Sequence, residues 1–296
     1  MFIATLIAKE SLKERDIRTA LASLVASGAR IIRQSDLIDG RVLDIFFAGD
    51  PVSARAHLET IDGPIDIAVQ PQANRLKKLL ISDMDSTMIT IECIDELADY
   101  AGIKPQIAAI TERAMLGELD FEEALRGRVA LLEGLDSAAI QQCLDERVNI
   151  MPGAEILVRT MAGSGASTIL VSGGFTRFAK PVAQAIGFDS FHANILGEEG
   201  SQLTGALDGP IVDSSRKEQL LESHAQAASL PLDLCMAVGD GANDIPMLER
   251  AGLGVAYHAK PKAAAAADVA IRHNDLTALL YIQGIAADQW ITPSSH

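Results

Sequence analysis

Cysteine is scarce in this chain, which has three in 296 residues: Cys93, Cys143 and Cys235. An odd count without a Cys-x-x-Cys spacing argues against a disulfide framework and against a zinc site built from cysteine pairs. All three lie in apolar stretches, where cysteine commonly serves as a small core residue. We therefore expect reduced thiols and a cytoplasmic protein.

Positive charge and long apolar runs are scarce as well. The 25 lysines and arginines are outnumbered by 40 aspartates and glutamates, which gives a net charge of −15 and argues against binding to nucleic acids or anionic membranes. No apolar run approaches the roughly 20 residues that span a bilayer, and the amino terminus lacks the features of a signal peptide. The pattern Gly-x-x-x-x-Gly-Lys-Ser/Thr is absent, which argues against a P-loop nucleotide enzyme. We expect a soluble protein.

The first part of the chain has the element order strand, helix, strand, strand, helix, strand. Apolar alternation predicts the strands, and helical spacing of apolar residues predicts the helices. The strands are at 2–8, 29–37, 41–47 and 64–69, and the helices are at 16–27 and 52–60. Asp39-Gly40 predicts a hairpin turn between the second and third strands. This order is typical of a ferredoxin-like α+β domain, which we assign to residues 1–72.

The element order of residues 1–72 resembles the ACT-type regulatory domains that bind amino acids beside metabolic enzymes. This resemblance rests on the order of elements alone. Lys9-Glu10-Ser11 lacks the Pro-Gly that such domains often carry after their first strand. Amino-acid sensing, packing and formation of a homodimer are therefore all left open as roles for this domain.

Residues 71–77 lose the apolar pattern and predict a linker to a second domain at 77–288. Strand and helix patterns alternate in this domain, beginning with the buried strand Leu79-Leu80-Ile81-Ser82. Repeated strand–helix units predict an α/β fold with a doubly wound, Rossmann-like parallel sheet. Residues of about 90–150 show helical patterns only, at 92–101, 105–116, 121–132 and 137–146. We predict that they form a helical cap inserted after the first strand of the sheet, able to close over a substrate.

Polar residues follow three predicted strands of the second domain. They are Asp83 and Asp85, then Ser172, Gly173 and Gly174, and finally Asp240, Asn243 and Asp244. The carboxyl ends of parallel strands share one edge of the sheet, where ligands bind in open α/β folds. Carboxylates crowded into one crevice repel each other unless a cation or a proton lies between them. The sequence therefore predicts a magnesium-dependent phosphoryl-transfer site at this edge.

We predict a distinct chemical role for each of Asp83, Asp85 and Asp240. Asp83 is the predicted nucleophile, which attacks phosphorus and forms an aspartyl-phosphate. Mg²⁺ is predicted to bind the Asp83 carboxylate, the backbone carbonyl of Asp85 and the Asp240 carboxylate, because it prefers hard oxygen ligands. The Asp85 carboxyl is placed to protonate the leaving alkoxide and then to deprotonate the water that cleaves the intermediate.

The remaining polar residues of the site are predicted to bind the phosphate or to support the metal. The Ser172 hydroxyl, the Gly173 N–H and Lys217 would hold the phosphate oxygens, and glycine allows close approach of the backbone. Asn243 can donate a hydrogen bond to the phosphate. Asp244 can support the metal directly or through water.

Four stretches of this sequence resemble the four motifs of the haloacid-dehalogenase superfamily. They are Asp83-Met84-Asp85-Ser86-Thr87, Ser172-Gly173-Gly174-Phe175, Lys217 and Gly239-Asp240-Gly241-Ala242-Asn243-Asp244. Over about residues 77–280 the chain is similar to the phosphoserine phosphatases of that superfamily. The resemblance implies hydrolysis of O-phospho-L-serine to L-serine and phosphate through an aspartyl-phosphate intermediate, which is the last step of serine biosynthesis.

The resemblance also implies which residues recognise the substrate. Glu92 would bind the ammonium group of phosphoserine, and Arg128 would pair with its carboxylate. Met115 and Phe121 resemble apolar contacts that the family makes from its cap. An amino acid presents one cation and one anion, so one carboxylate and one guanidinium suit its selective binding.

Two other functions stay open at this point. One is a phosphatase or phosphotransferase that acts on another small phosphorylated amino acid or metabolite. The other is a noncatalytic amino-acid sensor whose second domain has lost its activity, although every expected catalytic residue is present.

Overall fold

The computed structural model describes residues 1–35, 38–115 and 118–293. Its strands form two separate sheets, one of four strands and one of seven. The predicted strand at 29–37 and the predicted helix at 105–116 end at Leu37 and Leu116, which lie outside the described residues. Within the described ranges, we find no helix with the length and apolar character that crossing a membrane requires.

The four-stranded sheet and its two helices have the predicted ferredoxin-like order. The elements are β1 Phe2–Ala8, α1 Glu14–Ala26, β2 Arg30–Gln34, β3 Val42–Ala48, α2 Pro51–Leu58 and β4 Ile65–Pro71. The strands lie in the order β2-β3-β1-β4, and all neighbours are antiparallel. Asp39 and Gly40 have φ angles of 52° and 64°, so the predicted turn between β2 and β3 is confirmed. The boundaries of this domain, at residue 72 and residue 77, remain a prediction.

The seven-stranded sheet confirms the doubly wound α/β fold. Its strands are β5 Leu79–Ser82, β6 Ser167–Phe175, β7 Ser190–Glu199, β8 Gln202–Asp208, β9 Cys235–Gly239, β10 Leu253–Tyr257 and β11 Val269–Ile271. Their order is β11-β10-β9-β5-β6-β7-β8, with β8 antiparallel to β7 and the other neighbours parallel. The sheet is therefore parallel as predicted, apart from the antiparallel pairing of β8 at one edge.

Helices flank the seven-stranded sheet on both faces. They are α7 Ala154–Gly163, α8 Thr176–Ile186, α9 Ser214–Ala227, α10 Ile245–Arg250, α11 Pro261–Ala266 and α12 Ala278–Ile282. The central strand β5 is fully buried and contributes to two apolar clusters, with Leu80 in one and Leu79 and Ile81 in the other. Successive side chains of β5 point to opposite faces of the sheet. Because both faces are covered, every residue of the strand is buried, and the strand appears in the sequence as a short apolar run.

The helical cap is inserted between β5 and α7, as predicted. Its helices are α3 Cys93–Tyr100, α4 Lys104–Met115, α5 Phe121–Ala130 and α6 Ala138–Arg147. Two antiparallel segments connect the cap to the sheet domain, through a bridge between Ile89 and Ile150. The Thr90 N–H donates to the Asn149 carbonyl at 3.0 Å, so the chain enters and leaves the cap through one paired connection.

Side chains at helix starts account for several boundaries. Asp120 and Glu123 form a capping box at the start of α5, and the Asp213 carboxylate accepts a 2.7 Å hydrogen bond from the Arg216 N–H at the start of α9. Asp136 lies just before α6, and its carboxylate accepts a 2.9 Å hydrogen bond from the Ala138 N–H. These bonds satisfy N–H groups that a helix leaves without an internal partner.

Candidate active site

A cavity of about 850 Å³ lies between the carboxyl edge of the seven-stranded sheet and the cap. Most of the predicted site residues line it, and they come from both parts of the domain. They are Asp83, Asp85, Glu92, Arg128, Ser172, Gly173, Asp240 and Asn243. Asp83 and Asp85 follow β5 and lie at the centre of this edge, because β5 lies between β6 and β9. The cavity is the candidate active site.

Lys217 lies beneath the cavity, fully buried, and contacts two carboxylates at once. Its Nζ atom is 2.7 Å from Asp83 Oδ1 and 2.7 Å from Asp244 Oδ1. Burial disfavours its ammonium form, but the charges of Asp244 and Asp83 outweigh burial and raise the pKa of Lys217 above its ordinary value. The lysine is therefore a permanent cation that orients the predicted nucleophile.

The Asp83 carboxylate is held at one oxygen. Its Oδ1 atom accepts a 2.8 Å hydrogen bond from the Met84 N–H in addition to the contact with Lys217. Burial raises the pKa of Asp83 well above its ordinary value, Asp244 raises it further, and Lys217 acts in the opposite direction. A group in this environment gains from a further cation, which would favour its ionised form.

Oxygen atoms from Asp83, Asp240 and Asp244 lie within 4.8 Å of one another and form a candidate metal site. The donor set of carboxylates suits Mg²⁺, which prefers hard oxygen ligands. Thr87 donates a 3.0 Å hydrogen bond to Asp240 Oδ1, while burial, followed by the charge of Asp244, raises the pKa of Asp240 to about 6. The residues present therefore fit a divalent cation.

Asp244 supports this group through its second oxygen. Its Oδ2 atom accepts hydrogen bonds from the backbone N–H groups of Asp240 and Gly241, at 3.1 and 2.9 Å. With Oδ1 on Lys217, both oxygens of Asp244 already have protein partners. Asp244 therefore holds the loop that carries Asp240. Its role in supporting the metal stays a prediction.

Asp85 lies apart from the three clustered carboxylates, and its side chain lines the cavity. Burial, followed by the charge of Glu92, raises the pKa of Asp85 to about 7. The Cys93 N–H approaches its Oδ1 atom at 3.4 Å. A carboxyl group that titrates near neutral pH can both donate and accept a proton, as a general acid and base must.

The end of β6 lines the cavity with residues that the sequence predicts to bind phosphate. Strand β6 continues through Ser172 and the two glycines to Phe175. Ser172 Oγ accepts a 2.8 Å hydrogen bond from the Gly174 N–H, which leaves its hydroxyl hydrogen free to donate to a ligand. A Cβ atom on Gly174 would lie 2.9 Å from Asp85 Oδ2 and 3.0 Å from Ser172 Oγ, so a larger residue here would displace one of these two side chains.

The cap places the predicted substrate-recognition residues above the sheet. Glu92 precedes α3 and accepts a 2.7 Å hydrogen bond from the Ser86 hydroxyl. Arg128, in the last turn of α5, lines the cavity, and burial lowers its pKa. Phe121 lines the cavity beside Gly173. Met115 ends α4, and its side chain lies outside the described residues.

Sequence reasoning missed several residues near the site. Lys260 and Lys262 line the cavity, and they follow the carboxyl end of β10. The rule that identified the other strand ends could have found them. Asn194 is buried in β7 and joins the Gly173 carbonyl to the Val212 N–H, each at 2.8 Å. No local pattern marks this asparagine, because both its partners are distant in sequence.

Comparisons with known proteins place the chain among phosphatases. The family model described as haloacid dehalogenase-like hydrolase matches residues 80–249. A curated relative, a phosphoserine phosphatase of Albidiferax ferrireducens, is 45% identical over 208 residues, which are 69% of this chain and 88% of that protein.

Two solved structures extend this similarity to three dimensions. The unliganded form of a probable phosphoserine phosphatase from Vibrio cholerae has a TM-score of 0.78 and 32% identity, over 97% of this chain and 88% of that one. A phospho-aspartyl intermediate analogue of phosphoserine phosphatase has a TM-score of 0.65 and 37% identity, over 70% of this chain and 98% of that one. The first of these likenesses extends over the four-stranded domain as well.

Proposed function

Because the chain belongs to the haloacid dehalogenase-like hydrolases and, among them, to the phosphoserine phosphatases, we propose that it hydrolyses O-phospho-L-serine to L-serine and phosphate. The observation that carries the proposal is a single cavity lined by Asp83 and by the cap residues Glu92 and Arg128. The nucleophile and the two charges that an amino acid requires therefore face one space.

Substrate binding follows from the charges of the cavity. The Arg128 guanidinium pairs with the substrate carboxylate, and the Glu92 carboxylate pairs with its ammonium group. The Ser172 hydroxyl, the Gly173 N–H, the Lys217 ammonium and the Asn243 side chain donate to the phosphate oxygens. This arrangement orients the phosphorus toward Asp83 before any bond changes.

The first chemical step transfers the phosphoryl group to Asp83. Asp83 Oδ2 is the attacking oxygen, because Oδ1 is held by Lys217 and by the Met84 N–H. The new oxygen–phosphorus bond forms as the bond from phosphorus to the serine oxygen breaks. The leaving oxygen keeps the electron pair and takes a proton from the Asp85 carboxyl, which yields L-serine.

The second step regenerates the enzyme. The Asp85 carboxylate removes a proton from a water molecule, whose oxygen attacks phosphorus. The bond from phosphorus to Asp83 breaks, phosphate leaves, and Asp85 is again protonated. One carboxyl group with a pKa of about 7 thus acts as acid in one step and as base in the other.

Dependence on Mg²⁺ is part of the proposal. The carboxylates of Asp83 and Asp240, together with the Asp85 backbone carbonyl, would hold the ion, and Asp244 would fix the loop that carries Asp240. When bound, Mg²⁺ supplies positive charge that offsets the repulsion between these carboxylates and a phosphate dianion.

The cellular setting completes the proposal. The reaction would be the last step of serine biosynthesis, in the cytoplasm, where the three buried free cysteines would remain reduced. A homodimer stays open as the assembly, and measurement of molar mass in solution would decide it.

A substrate panel tests the proposed function. Phosphate release is measured from phosphoserine, from phosphothreonine and from an aryl phosphate, with Mg²⁺ and with excess chelator. We expect the highest kcat/KM for phosphoserine and loss of turnover on chelation. A higher kcat/KM for another ester, or transfer to an added alcohol instead of water, would favour the alternative phosphatase or phosphotransferase.

A further inference from the structure

The loop after β10 and the first turn of α11 contribute one lysine each to the mouth of the active-site cavity. Lys260 and Lys262 both line the cavity and are exposed to solvent. Among the described residues, neither ammonium group has a carboxylate within ion-pair distance. The roles derived for substrate binding and catalysis use neither of them, so two cations at the cavity mouth have no assigned partner.

The position of Lys260 and Lys262 matters because the rest of the protein surface and the cavity carry negative charge. The chain has a net charge of −15, and the cavity is lined by Asp83, Asp85, Glu92 and Asp240. A phosphate dianion that approaches such a surface is repelled. Local cations at the mouth of a cleft can reverse this effect and raise association rates by roughly 10- to 1,000-fold.

The loop that carries Lys260 and leads into α11, where Lys262 lies, is fixed at several points. His258 has a φ angle of 43°, which is in the left-handed region and is uncommon for a residue other than glycine. Its N–H donates to the Ile271 carbonyl at 2.8 Å, and the Lys260 N–H donates to the Asp240 carbonyl at 2.9 Å. The backbone of the loop is therefore tied directly to the residue proposed as a metal ligand.

The His258 ring gives the loop a third attachment, on Asn274. Its Nε2 atom is 3.0 Å from the Asn274 carbonyl oxygen, to which it donates. Asn274 is itself buried and is held by the four-stranded domain: its Nδ2 atom donates to Asp66 at 2.8 Å and to the Ile7 carbonyl at 3.0 Å. Its Oδ1 atom accepts a 2.8 Å hydrogen bond from Arg41.

Asp66 anchors the whole segment around Asn274. Its buried carboxylate accepts hydrogen bonds from the backbone N–H groups of Arg272, His273 and Asn274, at 2.8 to 3.2 Å. Every polar atom of Asn274 thus has a partner. Most of these partners belong to the four-stranded domain, and one, His258, belongs to the loop at the cavity mouth.

We propose that Lys260 and Lys262 form a cationic rim that attracts the phosphate dianion, and that Asn274 is a positioning residue through which the four-stranded domain holds this rim in place. The proposal rests on the proposed phosphatase function and gives the first domain a part in substrate capture. The chain of contacts runs from Asp66 to Asn274, then to His258 and Lys260.

The first experiment tests the rim with the double variant Lys260→Gln/Lys262→Gln. We expect kcat/KM for phosphoserine to fall about tenfold at low ionic strength, with kcat nearly unchanged, because the lysines act on approach. Salt screens exposed charges, with a Debye length of about 8 Å at 0.15 M, so the dependence of kcat/KM on ionic strength should weaken in the variant.

The matched control for the rim is Lys9→Gln/Lys180→Gln. It removes two exposed lysines that do not line the active-site cavity, and it changes the net charge by the same amount. This control should keep kcat/KM and its salt dependence close to those of the wild type. If both double variants show the same kcat/KM and the same salt dependence, the rim has no role and the proposal fails.

The second experiment tests the positioning role with a double-mutant cycle. Asn274→Ala is measured in the wild-type chain and in the Lys260→Gln/Lys262→Gln background. If Asn274 acts through the rim, we expect kcat/KM to fall several-fold in the first case and to change little in the second. A purely structural defect would reduce activity by the same factor in both backgrounds, and that result would overturn the positioning role.

Two additions keep these tests decisive. Arg41→Gln, which removes one hydrogen bond to Asn274, replaces Asn274→Ala in the cycle if that variant does not fold. An aryl phosphate dianion is measured beside phosphoserine, because the rim should attract both. A chain that hydrolyses the aryl ester but not phosphoserine would refute the proposed function, while the same variants would still decide the rim.

Discussion

At the scale of single residues, the site separates charges that would otherwise repel one another. Lys217 lies between Asp83 and Asp244, and Thr87 donates to Asp240. The contacts to Asp83 and Asp240 engage only Oδ1 of each and leave Oδ2 for the metal or the substrate, whereas both oxygens of Asp244 have protein partners. Removal of one partner from a buried charged group typically costs several kcal/mol, so these contacts should be sensitive to substitution.

Substrate selectivity should depend on Arg128. We expect Arg128→Ala to raise KM for phosphoserine roughly 10- to 100-fold, because a hydrogen bond to a charged group contributes about 1.5–3 kcal/mol. KM for an aryl phosphate, which has no carboxylate, should change little. Arg126→Ala on the same helix is the control, since Arg126 is exposed and pairs with Glu122. Similar increases in KM for both esters would contradict the proposed role of Arg128 in binding the substrate carboxylate.

Metal affinity should depend on Thr87. Thr87→Val keeps the shape of the side chain but removes the hydrogen bond to Asp240. We expect the Mg²⁺ concentration for half-maximal activity to rise about 10- to 100-fold, as for other groups that orient a metal ligand. Thr160→Val removes a buried hydroxyl that accepts from the Ile291 N–H elsewhere in the domain, and it should leave this concentration unchanged. An unchanged requirement in Thr87→Val would contradict the account.

At the scale of helices and strands, most elements followed from local patterns. The four-residue strand β5 was predictable because an apolar run before Asp83 marks a strand buried on both faces. Other features depend on contacts that no local pattern records. Helix α12 was not predicted, and β6 extends through Phe175 because Phe175 pairs with Asn194 on β7.

The same limit applied to the residues of the site. Carboxylates, glycines and Lys217 could be predicted because they follow strands or match a family. The contact between Asn274 and Asp66 joins residues 208 positions apart, so only the packing of the two sheets brings them together.

The start of α9 should matter for catalysis, because it places Lys217. Asp213→Ala removes the side-chain cap of this helix, which typically lowers the free energy of unfolding by about 1 kcal/mol. We expect that loss together with a reduced kcat. Asp50→Ala removes the corresponding cap of α2 in the four-stranded domain and should cost similar stability without lowering kcat. Equal kcat values for the two variants would show that the cap of α9 has no effect on catalysis and would contradict this prediction.

At the scale of the whole molecule, clustered carboxylates should link stability to pH and to Mg²⁺. The pKa of Asp83 is raised well above its ordinary value, that of Asp85 is raised to about 7 and that of Asp240 to about 6. Between about pH 4 and about pH 7 the folded state therefore binds more protons than the unfolded state. The metal-free protein should lose stability as pH rises from about 4 to about 7.

Thermal unfolding with and without Mg²⁺ tests this linkage. We expect the increase in Tm on addition of Mg²⁺ to be larger at pH 8 than at pH 5, because ionised carboxylates bind the cation and repel one another without it. The same titration on Asp240→Asn should give a smaller increase. An increase in Tm that is independent of pH would contradict the proposed metal site.

The most direct test of the central claim is to find where the phosphoryl group is carried during turnover. The enzyme is mixed with phosphoserine and Mg²⁺, quenched in acid and digested, and the phosphorylated peptide is identified by mass spectrometry. We predict one phosphoryl group on Asp83, and neither a phosphorylated peptide nor turnover in a folded Asp83→Asn variant. A phosphoryl group on another residue, or wild-type turnover by Asp83→Asn, would contradict the mechanism.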